Sequence, residues 1–282
     1  MKLKDIYIRD PFILKENGKY YMYGTTDPTA WEGAAGGFKV YVSEDLENFQ
    51  EKVIFSATED FWANENFWAP ECHKIGDKFY LFATFYKRGM MRRSQILVCD
   101  TPDGTFVPLN EPLTPADWNS LDATYFQDGD KKYTIFCHEW TQIKNGEICL
   151  AELDDNLQIK GEIKTLFKAT DAPWVRMLDV GENNYVTDGP YLRKMSNGKI
   201  LMLWSSFGEE GYAMGMAVAD KVDGEWKHIE KPIITKNGGH GMIFEDYQGK
   251  LFIVYHQPNQ PHMLERAHLE EVVEKDGILA IK

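Results

Sequence analysis

Five short segments of this 282-residue chain open on a side chain that can hold or release a proton. They are Asp10-Pro11-Phe12-Ile13, Glu71-Cys72-His73-Lys74-Ile75, Asp122-Ala123-Thr124-Tyr125-Phe126, Asp188-Gly189-Pro190-Tyr191-Leu192 and His240-Gly241-Met242-Ile243-Phe244. Four carboxyl groups and one imidazole are the working parts of general acid-base chemistry, in which one group takes a proton from an attacking molecule and another gives one to a leaving atom. Crowded carboxyl groups repel one another, and the proton affinity of at least one rises until it can act as an acid near neutral pH. Folding alone gives no reason to gather them, because buried like charges repel and lose hydration.

What gathers them is a repeat. Each opening leads into a strand, a polar turn and a second strand rich in aromatic and aliphatic residues. The turns carry Asn17-Gly18, Gly76-Asp77, Asp128-Gly129-Asp130, Asn197-Gly198 and Gln248-Gly249; the second strands include Tyr20 to Tyr23, Phe79 to Phe82, Tyr133 to Phe136, Ile200 to Trp204 and Leu251 to Tyr255. Further short runs, Phe38 to Val42, Ser94 to Val98, Ile148 to Ala151 and Ala213 to Val218, supply third strands. The period of roughly 50 to 65 residues suits a four-stranded unit, and five such units use up the chain. This predicts an all-β fold, a single five-bladed β-propeller over residues 1–282. The first strand of each blade lines the channel of a propeller, so the five openings converge on one axis.

Composition narrows the partners. The formal net charge of −13 disfavours nucleic acid and anionic membrane, and no apolar stretch approaches the roughly 18 residues of a membrane span. The basic run Lys87 to Arg93 falls where a turn of the second blade should lie and reads as a solvated loop. Cys72, Cys99, Cys137 and Cys149 occupy apolar strand positions without paired spacing and read as reduced core thiols. The start, Met1 to Ile6, enters the first strand with no apolar leader, and the expected location is cytoplasmic.

The order and spacing of Arg9-Asp10-Pro11-Phe12, Trp68-Ala69-Pro70, Leu121-Asp122-Ala123, Asp188-Gly189-Pro190 and Gly239-His240-Gly241 resemble glycoside hydrolase family 43, over essentially the whole chain. The resemblance implies an inverting glycosidase acting on pentose- or galactose-type sugars, most plausibly an α-L-arabinofuranosidase or β-xylosidase on short oligosaccharides, with no organic cofactor. It implies Asp10 as general base and Asp122 as the residue that orients and tunes. The family's general acid is a Glu in the acidic-Gly-Pro motif; here that position is Asp188, one methylene shorter, which leaves Glu71 as the other candidate donor. His240 matches a histidine that lies beneath the acids and often faces a calcium ion through water, so the resemblance implies a metal at His240. Arg266 matches an arginine that reaches toward the acids, and Arg9 is a further substrate-binding candidate.

Inverting hydrolysis needs an acid and a base roughly 6.5 to 9.5 Å apart, a gap that the walls of a narrow channel can supply. Trp31, Trp62, Trp68, Trp140 and Trp204 are candidates for a sugar platform, with Trp68 and Trp140 favoured for the pocket. Two rival readings stay open. The Asp at position 188 is compatible with a catalytically silent carbohydrate-binding propeller, and a glycoside phosphorylase would need a basic phosphate cradle for which Arg9, Arg266 and His256 are the candidates.

Overall fold

The structure is a computed structural model that describes residues 1–31 and 33–282. Its described residues form five four-stranded sheets, each a contiguous meander. Blade 1 holds β1 (Arg9–Glu16), β2 (Lys19–Thr25), β3 (Gly37–Ser43) and β4 (Gln50–Ser56); blade 2 holds β5 (Glu65–Ile75), β6 (Lys78–Tyr86), β7 (Arg93–Cys99) and β8 (Val107–Pro108). Blade 3 holds β9 (Ser120–Asp128), β10 (Lys131–His138), β11 (Glu147–Leu153) and β12 (Ile159–Lys168); blade 4 holds β13 (Asp188–Lys194), β14 (Ile200–Gly208), β15 (Gly211–Ala219) and β16 (Lys227–His228). Blade 5 holds β17 (Gly239–Glu245), β18 (Leu251–Gln257), β19 (Arg266–Lys275) and β20 (Ile278–Ile281). This is the expected five-bladed propeller, with the innermost strands β1, β5, β9, β13 and β17 packed side by side around the channel.

Local chemistry sets the hairpins. Asn17 and Gly18 both have positive φ, 48° and 77°, as do Asp276 and Gly277 at 54° and 79°, the geometry that two-residue hairpin turns require. The cores lie between blades. Phe38, Phe55, Phe67 and Phe85 interlock at the junction of blades 1 and 2, and Trp204, which is fully buried, packs with Trp174 and Phe167 between blades 3 and 4. Trp204 is therefore core and not sugar platform. Cys72, Cys137 and Cys149 are buried free thiols, and Cys99 is half-buried and free.

The innermost strands share a β-bulge near their start. The pairing register slips at Asp10-Pro11, Ala69-Pro70, Asp122-Ala123, Gly189-Pro190 and His240-Gly241. The first residue of each bulge has φ between 45° and 56°. For Asp10, Ala69, Asp122 and His240 this left-handed conformation costs about 1–2 kcal/mol each, and bulges commonly spend such strain to re-aim a side chain.

Each bulge also frees an amide from the ladder, and four of the five amides find a side chain on the second strand of the preceding blade. Ala69 donates to Thr25 Oγ1 at 2.8 Å, Asp122 to Thr84 Oγ1 at 2.9 Å, His240 to Ser205 Oγ at 2.8 Å and Asp10 to His256 Nδ1 at 3.1 Å. Blade 3 has Cys137 at the matching place, paired with Leu121. Gly189 donates instead to Oδ2 of Asp122 at 3.0 Å.

The ring closes without strand exchange, because every blade is built from one stretch of chain. Across the seam between blades 5 and 1, Arg9 pairs with Glu265 at 2.6 Å with both side chains buried, Lys15 Nζ donates to the Asp246 carbonyl, and Tyr20 packs on Phe244.

Candidate active site

The bulges aim Asp10, Asp122 and His240 at one point. His240 Nδ1 lies 3.1 Å from Asp10 Oδ1 and 3.8 Å from Asp122 Oδ2, so a single imidazole nitrogen bridges the two carboxyl groups. Gly189 leaves room for that ring, since a Cβ there would sit 2.5 Å from His240 Cδ2. Asp188 precedes the fourth bulge instead of occupying it, and Tyr212 on β15 donates its hydroxyl to Asp188 Oδ2 at 2.9 Å.

Asp10 is held by Thr25, whose Oγ1 donates to Oδ2 at 2.7 Å. Burial pushes the Asp10 carboxyl upward, but His240, His256, Arg9 and Thr25 outweigh it and bring the carboxyl below its ordinary value. It is the ionised member of the group. Asp122 moves the other way: burial, with Asp188 and Asp10 beside it, raises its proton affinity against the pull of His240 and the Gly189 amide. Asp188 is raised as well, by burial and by Asp10 and Glu139, against His240 and Tyr212. Carboxyl groups this close share protons, and the cluster keeps a proton on the Asp122–Asp188 side while Asp10 stays charged. Burial alone would discharge His240, yet Asp10, Asp122, Asp188 and Glu71 raise its proton affinity above the usual imidazole value.

The cavity above this cluster measures about 340 Å³ and is lined by Asp10, Asp122, Asp188, His240 and Tyr212 at its base. One wall alternates cations and indoles. The Arg9 guanidinium lies 4.6 Å from the Trp31 ring, Trp31 meets Trp68 edge-on at 5.6 Å, and Arg92 lies 4.4 Å over Trp68. Trp68 is further fixed by its Nε1 donating to the Ala30 carbonyl at 2.5 Å. Trp140 and Glu139 line the cavity from the connection after β10, and Arg92 Nη1 donates to Glu139 Oε2.

Asp10, Asp122, Asp188, His240, Trp68 and Trp140 thus come together as the sequence suggests. Glu71 does not join them. The second-blade residue at the bulge is Ala69, and Glu71, two positions further along β5, is buried against His73, whose Nε2 lies 3.2 Å from its Oε2. Arg266 is also elsewhere: its Nε donates to the Lys4 carbonyl at 3.0 Å and Nη1 to the Glu265 carbonyl at 2.8 Å, fastening the amino-terminal turn outside the cavity. Arg9 does line the cavity, but Nη1 donates to Glu265 and to the Asn259 carbonyl and Nη2 to Asn259 Oδ1 at 2.8 Å, so three of its five donors are engaged with Glu265 and Asn259. His256 is fully buried, and burial and Arg9 push its pKa down to about 3, leaving a neutral ring that accepts the Asp10 amide. The three candidates for a phosphate cradle are therefore engaged, remote and uncharged, respectively.

Arg92, Glu139 and Tyr212 are cavity residues that the sequence reading passed over. The basic run is only partly a loop, since Arg92 reaches the cavity while Arg93 fastens to the Thr114 and Pro112 carbonyls. The calcium expectation meets a poor donor set. Among the described residues no group of three or more His, Cys, Asp or Glu side chains is placed to hold a metal, and His240 Nδ1 is taken by Asp10.

Comparison with known proteins bears on the fold and the family. A solved endo-arabinase from Bacteroides thetaiotaomicron is 35% identical, covers 98% of each chain and superposes with a TM-score of 0.91. A solved endo-1,4-beta-xylanase from Bacteroides thetaiotaomicron is 26% identical over 98% of this chain and 94% of its own, with a TM-score of 0.80. Among curated proteins, alpha-L-arabinofuranosidase B of Pyricularia oryzae is 25% identical over 88% of this chain, and a xylosidase/arabinosidase of Bacteroides ovatus is 26% identical over 46% of it. The chain spans about half the length of these curated relatives, 54% and 43%. With residues 5–277 matching the profile of glycosyl hydrolases family 43, the chain belongs to that family.

Proposed function

We propose that this protein hydrolyses the glycosidic bond of a terminal pentose- or galactose-type sugar with inversion at the anomeric carbon, and that the sugar is an arabinofuranose or xylose. The observation that carries this reading is one cavity that gathers Asp10, Asp122 and Asp188 around His240, in surroundings that lower the proton affinity of Asp10 and raise that of Asp122 and Asp188. Asp10 takes a proton from water as the water attacks the anomeric carbon, and Asp188 gives its proton to the departing glycosidic oxygen. Thr25 and His240 each engage one oxygen of Asp10, and since each carboxylate oxygen has two lone pairs, room remains for that water. Asp122 and His240 position the pair and keep charge balanced beneath the sugar.

The cavity is at the small end of ligand pockets, which favours action at chain ends of short oligosaccharides. The names of the similar proteins, an arabinofuranosidase, a xylosidase/arabinosidase and an endo-arabinase, support arabinose first and xylose second. The placement of Arg9, Arg266 and His256 favours water over phosphate as the attacking group. A panel of nitrophenyl glycosides, assayed with and without phosphate, tests the whole reading. Release that is independent of phosphate and fastest with α-L-arabinofuranoside or β-xyloside is expected; phosphate-dependent release, or binding without turnover, overturns it.

A further inference from the structure

Glu139 sits between β10 and the four-residue helix Trp140–Ile143, at the mouth of the channel, and is only 5% exposed. Its Oε2 receives Arg92 Nη1. Arg92 is itself fixed, with Nη2 donating to Asn66 Oδ1 at 3.2 Å, its guanidinium 4.4 Å over Trp68 and 5.3 Å over Tyr86, and its amide donating to Asn119 Oδ1 at 3.0 Å. The clamp therefore fixes one oxygen of Glu139 and leaves the other. Among the described residues Oε1 has no hydrogen-bond partner, although the residue lines the cavity beside Trp140. An oxygen that the protein leaves without a partner in a cavity wall is open to a ligand, and a carboxylate accepts hydrogen bonds and does not donate them. Its complement is a hydroxyl group.

We propose that Glu139, held by Arg92, reads one hydroxyl of the terminal sugar and sets which sugars the cavity accepts. This rests on the glycosidase reading but assigns Glu139 a part outside proton transfer. A carboxylate acceptor at a fixed position disfavours a sugar lacking that hydroxyl, because the bound sugar shuts the oxygen off from water and leaves it unpaired. Arg92 matters here as a positioning residue: its planar fork and its stacking on Trp68 fix Oε2, and a lysine would hold the charge without the geometry.

The test is a deoxy series. Nitrophenyl glycosides lacking one sugar hydroxyl at a time are assayed with the parent, Glu139→Ala and Glu139→Gln, alongside thermal unfolding to confirm that each variant is folded. In the parent one deoxy position should lose roughly 10- to 100-fold in kcat/KM, the range for a hydrogen bond to a charged group. In Glu139→Ala the same deoxy substrate should differ from the full sugar by less than about threefold, with Glu139→Gln between the two. Arg92→Lys should reproduce the Gln result. If every deoxy sugar loses the same factor in parent and variants, Glu139 does not read the sugar. If Glu139→Ala harms poor leaving groups while sparing good ones, Glu139 is a proton donor and the proposal is equally overturned. Calorimetric titration of the free sugar and its deoxy analogues into Asp10→Asn protein, with and without Glu139→Ala, gives the same comparison without turnover. Sugars that bind with no such coupling sink this inference alone, whereas a failure of all of them to bind sinks it together with the glycosidase reading.

Discussion

Gly189 donates its amide hydrogen to Oδ2 of Asp122 at 3.0 Å, so the bulge that follows Asp188 is pinned by a carboxyl group of the neighbouring blade. Elsewhere in the ring that amide is held by Thr25, Thr84, Ser205 or His256. Asp122 thereby fixes the backbone that carries Asp188 and shares protons with it. Asp122→Ala should lower turnover by about 10²-fold or more and reduce stability by about 1–3 kcal/mol, since a buried amide loses its acceptor. Asp122→Asn keeps an acceptor and should lose activity with a smaller loss of stability. Equal thermal midpoints for the Ala and Asn variants would refute the pinning role.

The raised carboxyl groups also make stability fall with pH. Unfolded aspartates titrate near about 4, whereas Asp122 and Asp188 bind protons more tightly in the folded protein. Above the unfolded value the native state holds more protons than the unfolded chain, and stability drops as pH rises through the folded values, by up to about 1.4 kcal/mol per pH unit per group. Asp10, lowered in the fold, acts in the opposite sense and only on the acid side. Denaturant unfolding of the parent and Asp122→Asn at several pH values should show a shallower decline for the variant. Parallel curves would mean that Asp122 is not the group concerned.

Replacement of Asp10 by Asn should abolish turnover, by about 10²- to 10⁴-fold or more, because an amide cannot take a proton from water. The fold should survive, since Asn can still receive the Thr25 hydroxyl. Proton NMR of the first-formed product should show the inverted anomer. Retention would require a nucleophile and discard the assignment.

Loss of a general acid hurts most when the leaving group is poor. Asp188→Ala should therefore cripple hydrolysis of natural disaccharides and largely spare dinitrophenyl glycosides. Glu71→Ala should slow both substrates to a similar extent and lower the thermal midpoint, because Glu71 lies against His73 outside the cavity lining. A leaving-group pattern for Glu71→Ala would reverse these roles.

Because no group of three or more His, Cys, Asp or Glu side chains among the described residues is placed to hold a cation, exhaustive chelation should leave the thermal midpoint and kcat unchanged. An ion bound only by the native state would stabilise it by mass action, so a midpoint that falls with chelator and returns with calcium would contradict this.

The propeller was legible because hairpin turns and apolar strands recur at one period, and Asp10, Asp122 and His240 were legible because each occupies the bulge itself. Glu71 was misaligned for a physical reason. The repeat is set by a backbone with positive φ, and at blade 2 that backbone falls on Ala69, whose side chain carries no chemistry. Aligning Asp10-Pro11, Ala69-Pro70 and Gly189-Pro190 on their prolines would have found the register and placed Asp188 one residue ahead of its bulge. Arg92, Glu139 and Tyr212 left no such trace, because they reach the cavity from the turn before β7, the connection after β10 and the third strand of blade 4. Only closure of the ring brings them together.

That closure has a consequence for the order of assembly. Blades form from adjacent residues, but Arg9 and Glu265 must find each other across almost the whole chain, and such distant contacts carry the largest loop-closure penalty and are made late. Asp10 is the next residue on the strand that shuts the ring. A chain with all five blades formed and the seam ajar would keep its sheet content and most of its cores while lacking a working base. Catalytic competence in this sense depends on the seam being shut, however well each blade is formed on its own.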